Sequence, residues 1–320
     1  MNALRRTLAI LAGLSLVACA WAQKGPVRIL VGFPPGGESD LVARLVVGRL
    51  SAALGEPVIV ENRPGADGML AAEALKNAAP DGRTLMVSPI AVTVFAPLTH
   101  TRLRYDPGKD FAPVSLAAHF QMALAVGPGS PARSLHEYVA WVRANPANAT
   151  CGVPLAGGPT HFFALMLARD TGTDLAVVPY KGSALLVSDL LGGQVPAGIT
   201  VLSQLLKYHE AGKLRVLATS GPQRSPMAPD VPTFRELGFA AIEGTGWQAF
   251  HARAGTPRPT IERLSSAIAS AIRSPEVSAR LRALGLEPVG SGPDELASRM
   301  AEDSGRWAPV VKASGFRADQ

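Results

Sequence analysis

The chain has 320 residues, of which 47% are hydrophobic and 6% aromatic, and its net charge at pH 7 is +6. This length allows two domains, and this apolar content is enough to fill their cores. The basic excess is mild and scattered, without a basic stripe interleaved with aromatic residues, so nucleic-acid binding is excluded as an interpretation.

The first 22 residues have the pattern of an export signal. Two arginines precede an apolar stretch at residues 8–18, and a small-x-small site favours cleavage after Ala22. The stretch is too short to remain as a membrane-spanning helix. In an alternative interpretation its end is a lipobox, and Cys19 becomes a lipidated first residue. Both alternatives predict export.

Strands and helices alternate from residue 23 to about residue 120. The predicted strands are 27–33, 57–61, 84–88 and 112–116, and the predicted helices are 41–54, 68–77 and 91–99. Short strands that alternate with helices favour an α/β fold with a parallel sheet covered on both faces.

The first turn, residues 33–40, connects the first strand to the first helix. Prolines end the strand, Gly36 and Gly37 let the backbone turn, and Ser39 is the predicted N-cap of the helix. A helix N-terminus carries unpaired N–H groups and about half a positive charge, so it attracts small anions. The second turn, residues 62–68, leads to the same sheet edge, where ligands bind in open α/β sheets.

The alternation restarts at residue 121 and forms a second unit. Its predicted strands are 121–126, 149–153, 175–179, 195–201 and 214–219, and its predicted helices are 134–144, 162–171 and 184–191. Ser134 and Glu137 have the spacing of a capping box. The third turn, residues 154–161, is again a glycine turn that leads into a helix.

The C-terminal part is mainly helical. Helices are predicted at 260–272, 276–284 and 293–314, with one short strand at 287–289. Because this part is too small for a domain, we expect it to pack on the first unit. The predicted lobes are therefore 23–121 with 246–320, and 122–245. Two connections between two such lobes are typical of a hinged clamshell that closes on a ligand.

Further motifs occur in a fixed order along nearly the whole mature chain. They are residues 31–37 with Asp40, 60–65, 81–82, 105–115, 178–182, 189–195, 212–215, 229–233 and 254–257. The ordered set resembles the Bug family, the periplasmic receptors of tripartite tricarboxylate transporters. The resemblance implies a type II-like periplasmic binding protein, each lobe being a mainly parallel sheet flanked by helices.

The same resemblance implies a function and its partners. We expect a monomer that binds a small organic acid, an amino acid or an aromatic carboxylate or carboxamide, and delivers it to the membrane permease of a tripartite transporter. No cofactor or metal is implied. A sensor that docks on a membrane signalling partner is an alternative.

The ligand-binding residues implied by the resemblance lie in the glycine turns and at strand ends. They are Pro35, Gly36, Gly37, Glu38, Gly65, Ala66, Ser88, Gly157, Gly158, Thr160, His161 and Thr200. Backbone N–H groups are expected to hold the ligand's carboxylate, and Asp40 is expected to order the first turn.

Three residues depart from the family pattern. Glu38 stands where a small hydroxyl residue is usual, Asp67 replaces a common glycine, and Gly158 replaces a usual serine. If both acids line the cleft, they repel a dicarboxylate and favour an amine. If they point to solvent, the ligand class is unchanged. The sequence leaves both alternatives open.

An exported hydrolase is a further alternative, in which His161 assists Cys151 or Ser88. The sequence has no Gly-x-Ser-x-Gly elbow and no spacing typical of a metal site. With Cys19 removed or lipidated, Cys151 has no disulfide partner, and a buried structural thiol is predicted. We therefore predict a non-catalytic receptor.

Overall fold

The computed structural model of the chain describes residues 25–318. The predicted export signal, its cleavage site and Cys19 lie outside this range. Across residues 25–318, none of the helices combines the length and the apolar character that crossing a membrane requires.

Strands and helices alternate as predicted, so the α/β class is confirmed. The strands are β1 Val27–Val31, β2 Val58–Asn62, β3 Thr84–Pro89, β4 Phe111–Val126, β5 Thr150–Val153, β6 Ala176–Pro179, β7 Ala197–Val201, β8 Arg215–Thr219, β9 Thr245–Arg253 and β10 Glu287–Pro288. The helices are α1 Glu38–Leu54, α2 Met69–Lys76, α3 Ala96–Thr99, α4 Pro107–Asp110, α5 Leu135–Ala144, α6 Pro159–Thr171, α7 Ser183–Leu191, α8 Leu202–Glu210, α9 Arg258–Arg273, α10 Pro275–Ala283 and α11 Pro293–Ser314.

Two groups of parallel strands form the centres of the two lobes. The first lobe is built around β2-β1-β3 and the second around β7-β5-β6, with parallel pairing inside each group. In the first lobe Ile29 and Val31 pack under Val42 and Val46 of α1, whereas Leu30 faces α2. β1 and β3 are buried on both faces, which explains their nearly continuous apolar sequence.

Two strands carry the chain between the lobes, and we call β4 and β9 the crossing strands. β4 runs through both lobes, whereas β9 begins where the chain returns to the first lobe. β4 is one continuous strand, so the prediction of separate strands at 112–116 and 121–126 was wrong. It pairs with β9 up to Gln121 and with β7 and β8 from Met122, always antiparallel. The predicted lobe division at 121/122 coincides with this change of partner, and the lobe limits themselves stay a prediction.

The C-terminal helices pack on the first lobe, as predicted. Helix α9 contacts α1 and β4, and α11 contacts β4. Helix α11 also reaches α6 of the second lobe, where Trp307 lies 5.2 Å from Phe163 between ring centroids. Phe95 joins the same cluster, stacked at 5.6 Å on Phe162 and at 4.9 Å from Trp307. An aromatic seam therefore holds the lobes together beside the crossing strands.

The thiol of Cys151 is in the second lobe, on β5. It is fully buried, and burial raises its pKa to about 12. The predicted buried structural cysteine is confirmed.

Candidate ligand-binding site

The first and second turns meet at the carboxyl edge of the first lobe's sheet, as predicted. A β-carbon placed on Gly32 would lie 2.5 Å from the Cα of Gly68, so the two backbones are in contact. The side-chain amide of Asn62, at the end of β2, donates to the carbonyl oxygen of Phe33 at 3.1 Å. Only glycine at position 32 permits the backbone of Gly68 to come this close. This contact holds the first and second turns side by side.

Asp40 orders the first turn through its carboxylate. The backbone N–H of Gly36, at φ +83°, donates to Oδ2 at 2.9 Å. Arg44 Nε donates to the same oxygen at 2.8 Å, and the amide of Asn62 donates to Oδ1 at 2.8 Å. These donors lower the pKa of Asp40 to about 2, and the hydrogen bond from Arg44 has the largest effect. The carboxylate is therefore ionised and fixed, as expected for a structural residue.

The predicted N-cap role of Ser39 was wrong. Helix α1 begins at Glu38 with Gly37 as its N-cap, so Ser39 lies inside the first helical turn. Its hydroxyl instead donates to Oε1 of the buried Gln248 at 2.8 Å. Gln248 belongs to crossing strand β9, so this bond ties the first turn to a connection between the lobes.

The two acids that depart from the family pattern have different environments. Glu38 is half-buried, and its Oε1 accepts from Nε2 of Gln248 at 2.7 Å. Burial is the main effect on this group and raises the pKa of Glu38. Asp67 is exposed, and both it and Ala66 have left-handed φ values of 51° and 47°, a conformation that glycine adopts without strain.

The third turn repeats the construction of the first turn in the second lobe. Gly157 has φ +73°, Gly158 is the N-cap of α6, and the N–H of Gly157 donates to Nδ1 of His161 at 2.9 Å. In both turns the acceptor lies four residues after the donor glycine. The acceptor of the third turn is an imidazole whose pKa is lowered by burial, so it is neutral, whereas the first turn uses a carboxylate.

The C-terminal end of the chain covers the third turn. A β-carbon on Gly157 would lie 2.7 Å from Cε1 of Phe316, and the Phe316 ring contacts His161 edge-on at 4.7 Å between centroids. The N–H of Ala318 donates to the carbonyl of Thr99 at 2.9 Å. The glycine at 157 therefore makes room for Phe316, a role that the sequence did not indicate.

The remaining predicted site residues divide by exposure. Pro35, Gly36, Gly65 and Ala66 are exposed, Gly37 is half-exposed, and Ser88, Gly157, Gly158, Thr160 and Thr200 are buried. The hydroxyl of Ser88 lies 3.5 Å from Nδ1 of His251. Thr200 lies within β7, and its hydroxyl has no hydrogen-bond partner among the described residues.

The hydrogen bonds in the two helix-leading turns determine which N–H groups remain for a ligand. The N–H groups of Gly36 and Gly157 are already used, so they are not the free donors that we expected. The first helical bond of α1 runs from Leu41 to Gly37, which leaves the N–H groups of Glu38, Ser39 and Asp40 without carbonyl partners inside the helix. In α6, Pro159 has no N–H group. The N–H group of Thr160, the second residue of α6, therefore corresponds to that of Ser39, the second residue of α1.

The hydrolase alternative finds no support in the contacts of its candidate residues. The N–H of Gly157 and the rings of Phe162 and Phe316 surround His161, and neither Cys151 nor Ser88 bonds to it. Within residues 25–318 no three His, Cys, Asp or Glu side chains are grouped as metal ligands.

Comparisons with known proteins give one consistent result. A profile of the family described as "Tripartite tricarboxylate transporter family receptor" matches residues 42–316. Protein BugT of Bordetella pertussis is 34% identical over 293 residues, which cover 91% of this chain and 90% of BugT.

Two similar solved structures contain small carboxylates. Rpa4515 of R. palustris with adipate has a TM-score of 0.82 and 30% identity, covering 92% of this chain and 99% of that one. MatC (Rpa3494) from Rhodopseudomonas palustris with bound malate has a TM-score of 0.77 and 31% identity, covering 89% and 98%. These likenesses confirm the predicted two-lobed binding-protein fold.

Proposed function

Because the chain belongs to the tripartite tricarboxylate transporter receptor family, we propose that it holds a small organic anion between the N-termini of α1 and α6. The family consists of periplasmic solute-binding receptors, so the chain is a receptor and not an enzyme. The proposed step is capture of the solute in the cleft, followed by delivery to the permease subunits of a tripartite transporter.

The observation that carries this proposal is the matched construction of the first and third turns. Each has a glycine with positive φ, a glycine N-cap and a bond from the first glycine to a side chain four residues later. These bonds fix the helix N-termini before the ligand arrives. Each terminus contributes about 0.3–2 kcal/mol toward an anion, and more when closure excludes water.

Glu38 favours an amino acid over a dicarboxylate within this class. Its carboxyl group lies in the first turn of α1, close to the N–H groups proposed to bind the ligand, and is held by Gln248. The ionised form of Glu38 would repel a second ligand carboxylate, whereas a ligand ammonium group would pair with that form and oppose the effect of burial on its pKa. Adipate and malate in the relatives make a dicarboxylate the second candidate.

A thermal-shift screen of carboxylates, amino acids and pyridine carboxamides identifies the ligand, because binding to the folded state raises the melting temperature. Glu38→Ser and Glu38→Gln then test the class. If an amine pairs with Glu38, both variants weaken amino-acid binding at least tenfold, and Glu38→Ser gains affinity for adipate. Unchanged amino-acid affinity in both variants would exclude this role.

Gly158→Val tests the site itself. Gly158 has an ordinary extended backbone, φ −93°, and a β-carbon there would meet no atom closer than 3.6 Å, so the backbone accepts a side chain. A cooperative urea-unfolding transition like that of the wild type verifies the fold of the variant. Gly292→Val is the matched control, because Gly292 is also an extended N-cap glycine with open space around it. We expect Gly158→Val to lose the ligand-induced shift and Gly292→Val to retain it. Wild-type affinity in Gly158→Val would refute the site.

We also propose that the mature receptor is a free periplasmic monomer that begins at Gln23. Intact-mass measurement of the exported protein distinguishes this from lipidation at Cys19, which would add the mass of the lipid and leave four more residues at the N-terminus.

A further inference from the structure

A cavity of about 540 Å³ lies away from the glycine turns. Its lining includes residues of the crossing strands, among them Gln121 of β4 and Thr245 of β9. The second lobe supplies Leu202 and the loop at residues 222–227, and the first lobe supplies Arg299 and Arg306 of α11. The volume is in the range of small-molecule sites. We call this space the rear cavity.

The order of the strands places the rear cavity behind the crossing strands. In the first lobe the order is β2-β1-β3-β9-β4, with β10 on the far side of β4. The first and second turns follow β1 and β2, whereas Glu287 and Pro288 of β10 line the rear cavity. The crossing strands therefore lie between the two sites. Gly285 and Ser203 of the opposite lobe are in contact at this rear side.

The charges around the rear cavity favour an anion. The two acids that line it are each paired with an arginine outside its lining, Glu243 with Arg235 at 3.0 Å and Glu287 with Arg282 at 3.6 Å. Among the cavity's arginines, Arg306 has no carboxylate partner in the described part of the chain, and only its Nη1 donates, to the carbonyl oxygen of Glu243 at 3.3 Å.

The other groups in the wall complete a site for a carboxylate with an apolar body. Arg299 is held by Asp303 at 2.7 Å and by the hydroxyl of Thr245 at 2.9 Å, so its position is fixed. The side chains of Phe120, Leu202 and Met227 supply apolar surface. Arg306 can therefore pair with a carboxylate while the apolar body lies against the second lobe.

We propose that the rear cavity is a second ligand site for a small carboxylate with an apolar body, and that its occupancy resists closure of the cleft at the glycine turns. The coupling rests on the proposed function; the binding does not. When two lobes close about strands between them, their surfaces behind those strands move apart. A ligand that contacts both rear walls opposes that movement. By reciprocity, a ligand in the front cleft then weakens the rear site by the same factor.

Benzoate is the probe, measured by isothermal titration calorimetry on the mature protein. Arg306→Gln removes the unpaired charge from an exposed helix position, and Gln223→Trp narrows the cavity from its exposed rim. Arg280→Gln is the matched control, because it makes the same charge change at an exposed position of α10 outside the cavity. Gly158→Val alters the glycine turns and not the rear cavity, so a loss of benzoate binding in this variant would place benzoate at the glycine turns.

We expect Arg306→Gln and Gln223→Trp to weaken benzoate at least tenfold, and Arg280→Gln and Gly158→Val to leave it unchanged. Saturating benzoate should lower the affinity for the ligand found in the screen several-fold in the wild type but not in Arg306→Gln. If benzoate does not bind, or Gly158→Val abolishes its binding while Arg306→Gln does not, the rear site is overturned and the front site stands. Rear binding without any effect on the front ligand would overturn the coupling.

Discussion

Asp40→Asn is the substitution that most directly tests how the first turn is held. The Asp40 side chain is only 1% exposed, and three donors converge on its two oxygens. The pKa falls from 3.8 to about 2. At about 1.4 kcal/mol per pKa unit, the ionised form contributes about 2.5 kcal/mol to the free energy of unfolding.

Asparagine has one acceptor oxygen, so its NH₂ group would face at least one of the three donors. Losing charged hydrogen bonds of this kind costs about 1.5–3 kcal/mol each before relaxation. We therefore expect Asp40→Asn to lower the free energy of unfolding by about 2–3 kcal/mol at pH 7, measured by urea denaturation.

The contribution of Asp40 to the free energy of unfolding should also depend on pH in a predictable direction. Because the folded-state pKa of Asp40 is depressed, its contribution is complete above about pH 4 and is lost as the pH falls toward about 2. The difference between wild type and variant should shrink over that range. Asp294→Asn is the control, because Asp294 is an exposed partner of Arg258 and its loss should matter far less. Equal stability of wild type and Asp40→Asn at pH 7 would refute the reasoning.

Three further predictions concern the second lobe. Gly157→Ala should lower the free energy of unfolding by at least about 1–2 kcal/mol in urea denaturation, since φ is +73° and the new β-carbon would lie 2.7 Å from Phe316. Adding Phe316→Ala to this variant should restore part of the loss. The pKa of His161 is lowered from 6.5, so the stabilising effect of its neutral ring is present above pH 6.5 and is lost as the pH falls through the folded-state pKa. His161→Asn keeps an acceptor for the N–H of Gly157 and should remove this part of the pH dependence of the free energy of unfolding. An unchanged pH dependence in the variant would contradict this role. Cys151 should resist Ellman's reagent until urea unfolds the protein, because it is buried with a pKa near 12; rapid native labelling would contradict the packing.

The sequence predicted elements well where local patterns decide them. Helix α11 has the predicted limits 293–314, because a proline starts it and an amphipathic pattern continues to a glycine. Crossing strand β9 was missed, since it is buried on both faces and the buried polar residues Gln248 and His251 interrupt its apolar sequence. Helix α8 was missed because it follows β7 at Leu202 without an intervening turn.

The details of the site depended on contacts between distant parts of the chain. The role of Asp40 was predictable, because a carboxylate four residues after a glycine turn is a local feature. The bonds of Glu38 and Ser39 to Gln248 and the contact of Phe316 with the third turn join segments far apart in sequence. No local pattern indicates such contacts. The bonds that occupy the N–H groups of Gly36 and Gly157 are local, but which acceptor each glycine meets became clear only from the structure.

The position of a bound ligand tests the central proposal most directly. A crystal structure of the mature protein with the ligand from the screen should place its carboxylate within hydrogen-bond distance of the N–H groups of Ser39 in α1 and Thr160 in α6. A ligand that lies elsewhere, or contacts only one of these helix N-termini, would contradict the proposal.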